Sequence, residues 1–341
     1  MTKRILIVSL GSIGQRHLRN ARDLLPGAEF AVWRHNKSAG VSEAETDVHT
    51  VYSAQDAIDF NPDAVIVASP ASTHVEKAAP FIDRGVNVFI EKPLEIHSDK
   101  VSGLAQRCAA GGGFVMIGYV LRFQPIMSAI KSFLAEGGVG DVRTALMQTG
   151  QYLPDWRPSD DYRNGVSAQK DLGGGVMLEL SHELDYARWF FGEPESVIAS
   201  LGRLSQLDID VEDSAHVLYE YTDKRVAIQI DFLQRVARMH LQVIGSEATL
   251  EVDLISETGT LFEPAAPSGR KIEFPRQATG NEMYLRQFDV FFAKSFAEYV
   301  PRYEGSRAYD GYATVDDAIA VLRLVDAAKQ SNIEGRRALV S

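Results

Sequence analysis

Four groups of side chains in this sequence have the types and spacing to do chemistry. Lys92 stands directly after the apolar run Val86–Ile90, in Glu91-Lys92-Pro93. An ammonium fixed at the end of a buried strand stabilises an oxygen that is gaining negative charge, or delivers a proton to it. Glu91 is placed to orient that lysine or a bound ring. His182 follows the glycines 173–175 in a stretch, Val176–Phe191, that reads as one long helix, with Glu179, His182 and Asp185 at i, i+3 and i+6. That spacing sets an imidazole between two carboxylates near one face. A neutral imidazole, favoured at the positive end of a helix, takes a proton from a hydroxyl. The Glu179/His182 pair is also a metal-ligand spacing, but no further ligand set accompanies it and no metal is expected.

The third group is the turn Ser9-Leu10-Gly11-Ser12-Ile13-Gly14, between a strand-like run and an amphipathic one. Gly11 lets backbone approach a diphosphate, Gly14 lets helix and strand pack closely, and Ser12 and Ile13 open a helix whose N–H groups attract anions. Ser9 holds the slot where a first glycine is usual, so the turn must accept a Cβ there. Twenty residues on, the second strand ends in Arg34-His35-Asn36-Lys37; a cation there pairs with the 2′-phosphate of NADP, where an acidic residue would select NAD. The cofactor expected is NADP or NAD, with Arg34 favouring NADP. Ser69 and His74 in the next strand-end loop join the expected cofactor contacts with Glu91 and Lys92. The fourth group is aromatic and basic: Tyr152 and Trp156, then Tyr162-Arg163, with Tyr119 and Arg122 upstream. Aromatic faces and guanidinium forks suit sugar rings and their carboxylate or phosphate substituents. Tyr119, Arg122, Tyr152, Trp156 and Arg163 are therefore the expected substrate contacts, together with Lys92 and His182.

The elements that must position these groups alternate at first. Strands at Ile5–Ser9, Glu29–Arg34, Ala64–Ser69, Val86–Ile90 and Phe114–Val120 are interleaved with helices at Ser12–Leu25, after His74 and over Asp99–Ala110. Such alternation gives a doubly wound parallel sheet, expected to end near residue 120. Beyond it come strands at Val142–Tyr152, Ser214–Tyr221, Val226–Gln234, Met239–Ile244, Thr249–Val252 and Thr258–Phe262. Period-two alternation, His216, Leu218 and Glu220 against Val217, Tyr219 and Tyr221, predicts an open antiparallel sheet with one face on helices. Thr314 and Asp317 are spaced as a capping box before a closing helix, 313–331, expected to pack back toward the first domain. The expectation is an α/β Rossmann domain, 1–120, and an α+β substrate-binding and oligomerisation domain, 121–341.

Composition narrows the partners. A formal net charge of −11 argues against nucleic acid and anionic membrane, which call for cationic surface. Cys108 is the only cysteine, so no internal disulfide and no thiolate zinc cluster can form. The first residues carry too short an apolar run for a signal peptide, and a cytoplasmic enzyme is expected.

Gly11-Ser12-Ile13-Gly14, Glu91-Lys92-Pro93, Arg122-Phe123-x-Pro125 and the segment Gly173–Asp185, in that order and spacing, resemble the Gfo/Idh/MocA oxidoreductases. The resemblance covers essentially the whole chain. It implies hydride transfer to or from a hydroxyl-bearing carbon of a sugar, inositol or sugar derivative, with Lys92 and His182 in proton transfer and substrate binding. The family often has an aspartate four residues before its histidine; Leu178 holds that position here, and Glu179 fills the acidic slot when counted from the glycines. Glu179–Tyr186 is similar to members associated with bacterial surface-sugar and nonulosonate loci. The resemblance further implies a homodimer or homotetramer through the open sheet. Two rival readings keep the fold: a non-catalytic sensor of NAD(P) or a sugar, and an enzyme that oxidises its substrate transiently to drive elimination or glycoside cleavage.

Overall fold

The computed structural model describes residues 2–34 and 48–340. In chain order its first elements are β1 (Arg4–Val8), α1 (Ser12–Leu24), β2 (Glu29–Trp33), β3 (His49–Val51), α2 (Ala54–Asp59), β4 (Ala64–Val67), α3 (His74–Ile82), β5 (Asn87–Ile90), α4 (Leu104–Gly111) and β6 (Val115–Ile117). Then follow α5 (Pro125–Ala135), β7 (Val142–Gly150), α6 (Val176–Glu179), α7 (Ser181–Phe191), β8 (Ser196–Gly202), β9 (Ser214–Glu220), β10 (Arg225–Asp231) and β11 (Arg238–Gly245). The chain closes with β12 (Thr249–Asp253), β13 (Thr258–Glu263), β14 (Ala266–Ile272), α8 (Glu282–Ser295), α9 (Val315–Glu334) and β15 (Ala338–Leu339). Two compact units result: residues 1–123 with 279–319, and residues 124–278 with 320–341.

The first unit is built on a six-stranded parallel sheet in the order β3-β2-β1-β4-β5-β6. Its central strands are apolar on both sides, as a sheet covered on both faces demands: Ile5, Leu6, Ile7, Val65, Ile66 and Val67 are fully buried. The order reverses between β1 and β4, and in such sheets a ligand lies outside the strand C-termini at that reversal. The turn after β1 and the loops after β4 and β5 all open there.

The first stretch of the first unit ends at Phe123, and the second unit does not run unbroken to 341. Residues 279–319 belong to the first unit, and the boundary divides α9. The cause is α8. Its Phe288, Phe291 and Phe292 are in one apolar cluster with Ile5, Ile7 and Ile66 of the sheet, Leu18 of α1 and Phe89 of β5. Burying each such ring is worth roughly 1.5–3 kcal/mol. The capping box forms as spaced: Asp317 N–H donates to the Thr314 hydroxyl at 3.1 Å, and Thr314 N–H to the Asp317 carboxylate at 2.9 Å.

The second unit carries a nine-stranded sheet in the order β14-β13-β12-β11-β7-β10-β9-β8-β15. All neighbours run antiparallel except β7 and β10. The predicted alternation holds along β9: Val217 and Tyr219 are buried, while His216 faces solvent. Glu220 departs from it, buried because Arg337 and Ser196 bond its carboxylate. Two expected helices are interrupted. Asp99–Ala110 becomes a short 3-10 turn, Ser98–Val101, followed by Gly103 at φ +76° and then α4. Val176–Phe191 breaks at Leu180 into α6 and α7.

Candidate active site

The glycine turn follows β1 without a spacer. Ser9 takes φ +73°, a left-handed conformation that costs an L-residue about 1–2 kcal/mol and explains why glycine is usual in this slot. Its N–H donates to Trp33 O at 2.9 Å, which ties the turn to β2. A Cβ on Gly14 would lie 2.3 Å from the Ser9 carbonyl oxygen, so position 14 accepts only glycine. At Gly11 the reverse holds: the residue is exposed, and a Cβ there would meet no protein atom within 4 Å. Ser12 is exposed and Ile13 half-buried beside it. Helix α1 begins with no side-chain cap and no acidic residue in its first turn. Open room above a helix start rich in N–H groups fits a dinucleotide diphosphate.

Arg34 stands just past β2, half-buried, with its N–H on Val51 O at 2.9 Å. The next residues of the expected contact, His35, Asn36 and Lys37, lie outside the described residues.

After β4, the Ser69 hydroxyl accepts from Thr73 at 2.9 Å. His74, expected at the cofactor, is instead almost wholly enclosed. Its Nε2 lies 2.6 Å from Ser69 O and its Nδ1 2.8 Å from Pro93 O. Burial lowers its pKa most, while those two carbonyls and the charges of Glu91 and Glu95 act to raise it. Both ring nitrogens are thus engaged between two strand-end loops, which suits a role in joining them better than a cofactor contact.

Glu91 is buried and Lys92 half-buried at the end of β5, and the Lys92-Pro93 peptide is cis. The two Glu91 oxygens are divided. One lies 2.6 Å from Nε2 of His17, and the other accepts the Lys92 backbone N–H at 3.1 Å. Gly118 leaves room for this carboxylate, since a Cβ there would stand 3.0 Å from its Oε2. His17 escaped the sequence reading. The available signal was a histidine within the buried stripe of α1, beside Leu18, Ala21 and Leu24.

Two expected substrate contacts of this unit are buried. Tyr119 is fully buried. Arg122 is 3% exposed, and its guanidinium donates to Tyr312 O and to the Asp317 carboxylate, each at 3.3 Å. It ties the 120s turn to the start of α9.

The second unit holds the other candidates. His182 is the second residue of α7, half-buried, with Asp185 one turn along the same helix and itself buried. Glu179 ends α6, on the far side of the one-residue break at Leu180, so it and the pair His182 and Asp185 stand on two successive helices rather than one. The Glu179 carboxylate accepts the Ser167 hydroxyl at 2.8 Å. Glu212 holds the start of α6, through its carbonyl to Val176 N–H at 3.1 Å and its carboxylate to Met177 N–H at 3.2 Å. Gly175, at φ +95°, makes way for that carboxylate, which a Cβ would approach to 2.5 Å.

The aromatic loop is a chain of 3-10 turns. Trp156 is half-buried, its indole N–H on Gln151 O at 3.1 Å and its ring edge-on to Phe232. Tyr152 carries the Arg235 guanidinium 3.6 Å over its ring. Arg163 is exposed and forked onto Asp161, which raises the arginine pKa and lowers that of the carboxyl. Among the described residues, no three His, Cys, Asp or Glu side chains gather to hold a metal ion, and no helix is long and apolar enough to cross a membrane.

Comparison with known proteins bears on this arrangement. Residues 3–119 match the oxidoreductase family with an NAD-binding Rossmann fold, and residues 127–251 match the Gfo/Idh/MocA C-terminal domain. The chain is 24% identical over 361 aligned positions to inositol 2-dehydrogenase of Rhizobium meliloti, spanning 99% of each. It is 26% identical over 230 positions to 2,7-anhydro-N-acetylneuraminate hydratase of Mediterraneibacter gnavus, spanning 64% of this chain and 57% of that one. The crystal structure of GenD2 from gentamicin A biosynthesis, in complex with NAD, has a similar fold, with a TM-score of 0.79 at 22% identity over 100% of this chain and 97% of the other. With both family regions matched in order, and with the glycine turn, the Glu91-Lys92-Pro93 loop and the open sheet in place, the chain belongs to the Gfo/Idh/MocA family of NAD-binding oxidoreductases.

Proposed function

We propose that the protein is an NAD(P)-dependent dehydrogenase acting on a secondary hydroxyl of a sugar, an inositol or a sugar derivative. The observation that carries this reading is Lys92. A half-buried ammonium-bearing residue directly follows β5, its backbone held by Glu91, in the same unit as a turn shaped for a diphosphate. A bound nicotinamide accepts or gives the hydride. Lys92 stabilises the substrate oxygen as it gains charge, and His182 takes the hydroxyl proton; reduction reverses both roles. Asp185 fixes the imidazole, and Glu179 supports it through the loop it shares with Ser167. Tyr152, Trp156 and Arg163 serve the sugar. Arg34 favours NADP over NAD. The open face of the nine-stranded sheet joins copies into a dimer or tetramer.

The similarity to the hydratase supports a second reading, in which a bound nicotinamide would hold the hydride transiently while the same residues move the proton, an elimination follows and the hydride returns to the substrate. Screening purified protein against inositols, sugars, uronates and nucleotide sugars with NAD and NADP separates the two. Net cofactor turnover favours the dehydrogenase; tightly held cofactor with product but no net turnover favours the second. In either case Lys92→Ala should lose at least about a hundredfold in kcat. Near-normal turnover in that variant removes Lys92 from the mechanism.

A further inference from the structure

We infer that Arg235 binds an oxyanion on the substrate, a carboxylate or a phosphoryl group, so that the sugar derivative of the proposed reaction is acidic. The inference deepens the dehydrogenase reading and rests on it for the place of the substrate.

An acidic ligand approaching a chain of formal net charge −11 needs a local cation to hold it. Two arginines expected at the substrate are paired with carboxylates of the chain itself, Arg122 with Asp317 and Arg163 with Asp161. Arg235 is different. It is exposed, in the turn after β10, with its guanidinium 3.6 Å over the Tyr152 ring. Among the described residues no carboxylate pairs with it. A guanidinium laid on an aromatic face keeps its in-plane N–H fork for a partner, and that fork fits a carboxylate or phosphate two bonds at a time.

The surroundings hold this pair in place. Tyr152 N–H donates to Gln234 O at 2.6 Å, which sets the tyrosine against the turn that carries Arg235. Asp231, the acid nearest Arg235 in sequence, is buried and spent on the same turn. Its carboxylate accepts the N–H groups of Leu233 and Gln234 at 2.9 and 3.1 Å and the Gln234 side-chain amide at 3.0 Å. Gly150 leaves room for both, since a Cβ there would stand 2.5 Å from that amide nitrogen and 2.6 Å from the carboxylate.

The topology brings the pair toward His182. Because β7 and β10 run parallel and adjacent, the segments that follow them, with Tyr152 and Arg235, leave the sheet at one end. There Phe232 N–H donates to Asp213 O at 2.8 Å, and the neighbouring Glu212 holds the start of α6, which leads into α7 and His182. Trp156, edge-on to Phe232, adds an aromatic ring at the same end.

The test compares acidic probes with their neutral counterparts in the full-length protein loaded with NADH. Glucuronate and galacturonate present a carboxylate, glucose 6-phosphate a phosphoryl group, and glucose and galactose neither. By calorimetry at least one acidic probe should bind at least about tenfold tighter than its neutral parent, and which one does so tells carboxylate from phosphoryl. Arg235→Ala should erase that preference, as expected for loss of a charge-assisted fork. Arg235→Lys keeps the charge without the fork and should recover only part of it. Three results overturn the proposal: no preference for acid in the wild type, a preference unchanged in R235A, or an equal loss for acidic and neutral probes, which marks a merely structural arginine. Turnover of the same probes with NAD and NADP separates this inference from the reading beneath it. An acid bound through Arg235 without hydride transfer counts against the dehydrogenase alone. Turnover confined to neutral sugars, and equal in R235A, removes this inference alone.

Discussion

A Cβ built on Gly14 would stand 2.3 Å from the carbonyl oxygen of Ser9, so the conformation of one residue depends on the side chain missing from the other. Gly14→Ala should force the turn open. It is expected to cost about 1–3 kcal/mol by denaturant titration and to weaken NADH binding at least tenfold, roughly 1.4 kcal/mol, measured by fluorescence. Ser9→Gly should do the opposite. Relief of the left-handed strain, set against a looser unfolded chain, yields a gain of up to about 1 kcal/mol. A stable, fully binding G14A would show that the turn is not built as described.

Arg34 is the residue on which the proposed NADP preference turns. Arg34→Asp places an acceptor where the adenosine ribose hydroxyls of NAD would lie, and repels a 2′-phosphate. The ratio of kcat/KM with NADP to that with NAD should fall by at least about tenfold, or roughly 1.4 kcal/mol. An unaltered ratio refutes the role of Arg34.

His74 makes stability depend on pH. Two carbonyl oxygens at its ring nitrogens would be satisfied together only by the imidazolium, yet burial outweighs them and lowers the pKa below its ordinary value of 6.5. The folded state consequently binds fewer protons than the unfolded one in the interval between the two pKa values. The stability tied to the neutral ring is complete above pH 6.5 and is lost as pH falls through the folded pKa. Melting temperature should decline on acidification below neutrality, and less steeply in His74→Gln than in the wild type. Parallel slopes would assign the acid sensitivity to other groups.

The open face of the nine-stranded sheet shows Leu146 at 42% and Ile198 at 40% exposure, in one shallow groove with Ala199, Leu218 and Ala227. An apolar strip of this kind on a sheet face suits a second copy of the same surface. Sedimentation should find dimers or tetramers for the wild type at micromolar concentration and monomers for the L146D/I198D pair. A monomeric wild type defeats the proposal.

Much of the fold was legible because its signals are local. The strand-to-helix context of the glycine turn, the buried runs of β1, β4 and β5 and the Thr314/Asp317 box each depend on residues a few positions apart. What stayed hidden depends on distant partners. The break at Leu180 accompanies Glu212 seizing the start of α6 from 35 residues away, and His17 meets Glu91 across 74. Helix α8 went unread for a different reason. Residues 287–293 are all buried, Gln287 and Asp289 included, so no exposed polar face marks the helical period. The Arg122 ion pair with Asp317 stayed hidden because a guanidinium near a strand end suits a ligand and an internal ion pair equally well in sequence.

The return of residues 279–319 to the first unit sets an order on synthesis. Emerging from a ribosome, the nucleotide-binding half has all its parallel strands by residue 117 but lacks Phe288, Phe291 and Phe292. Its apolar cluster stays incomplete while the whole of β7–β14 is translated. A fragment cut at 123 would accordingly leave a sheet whose α8-facing side is wet, sticky and prone to aggregate.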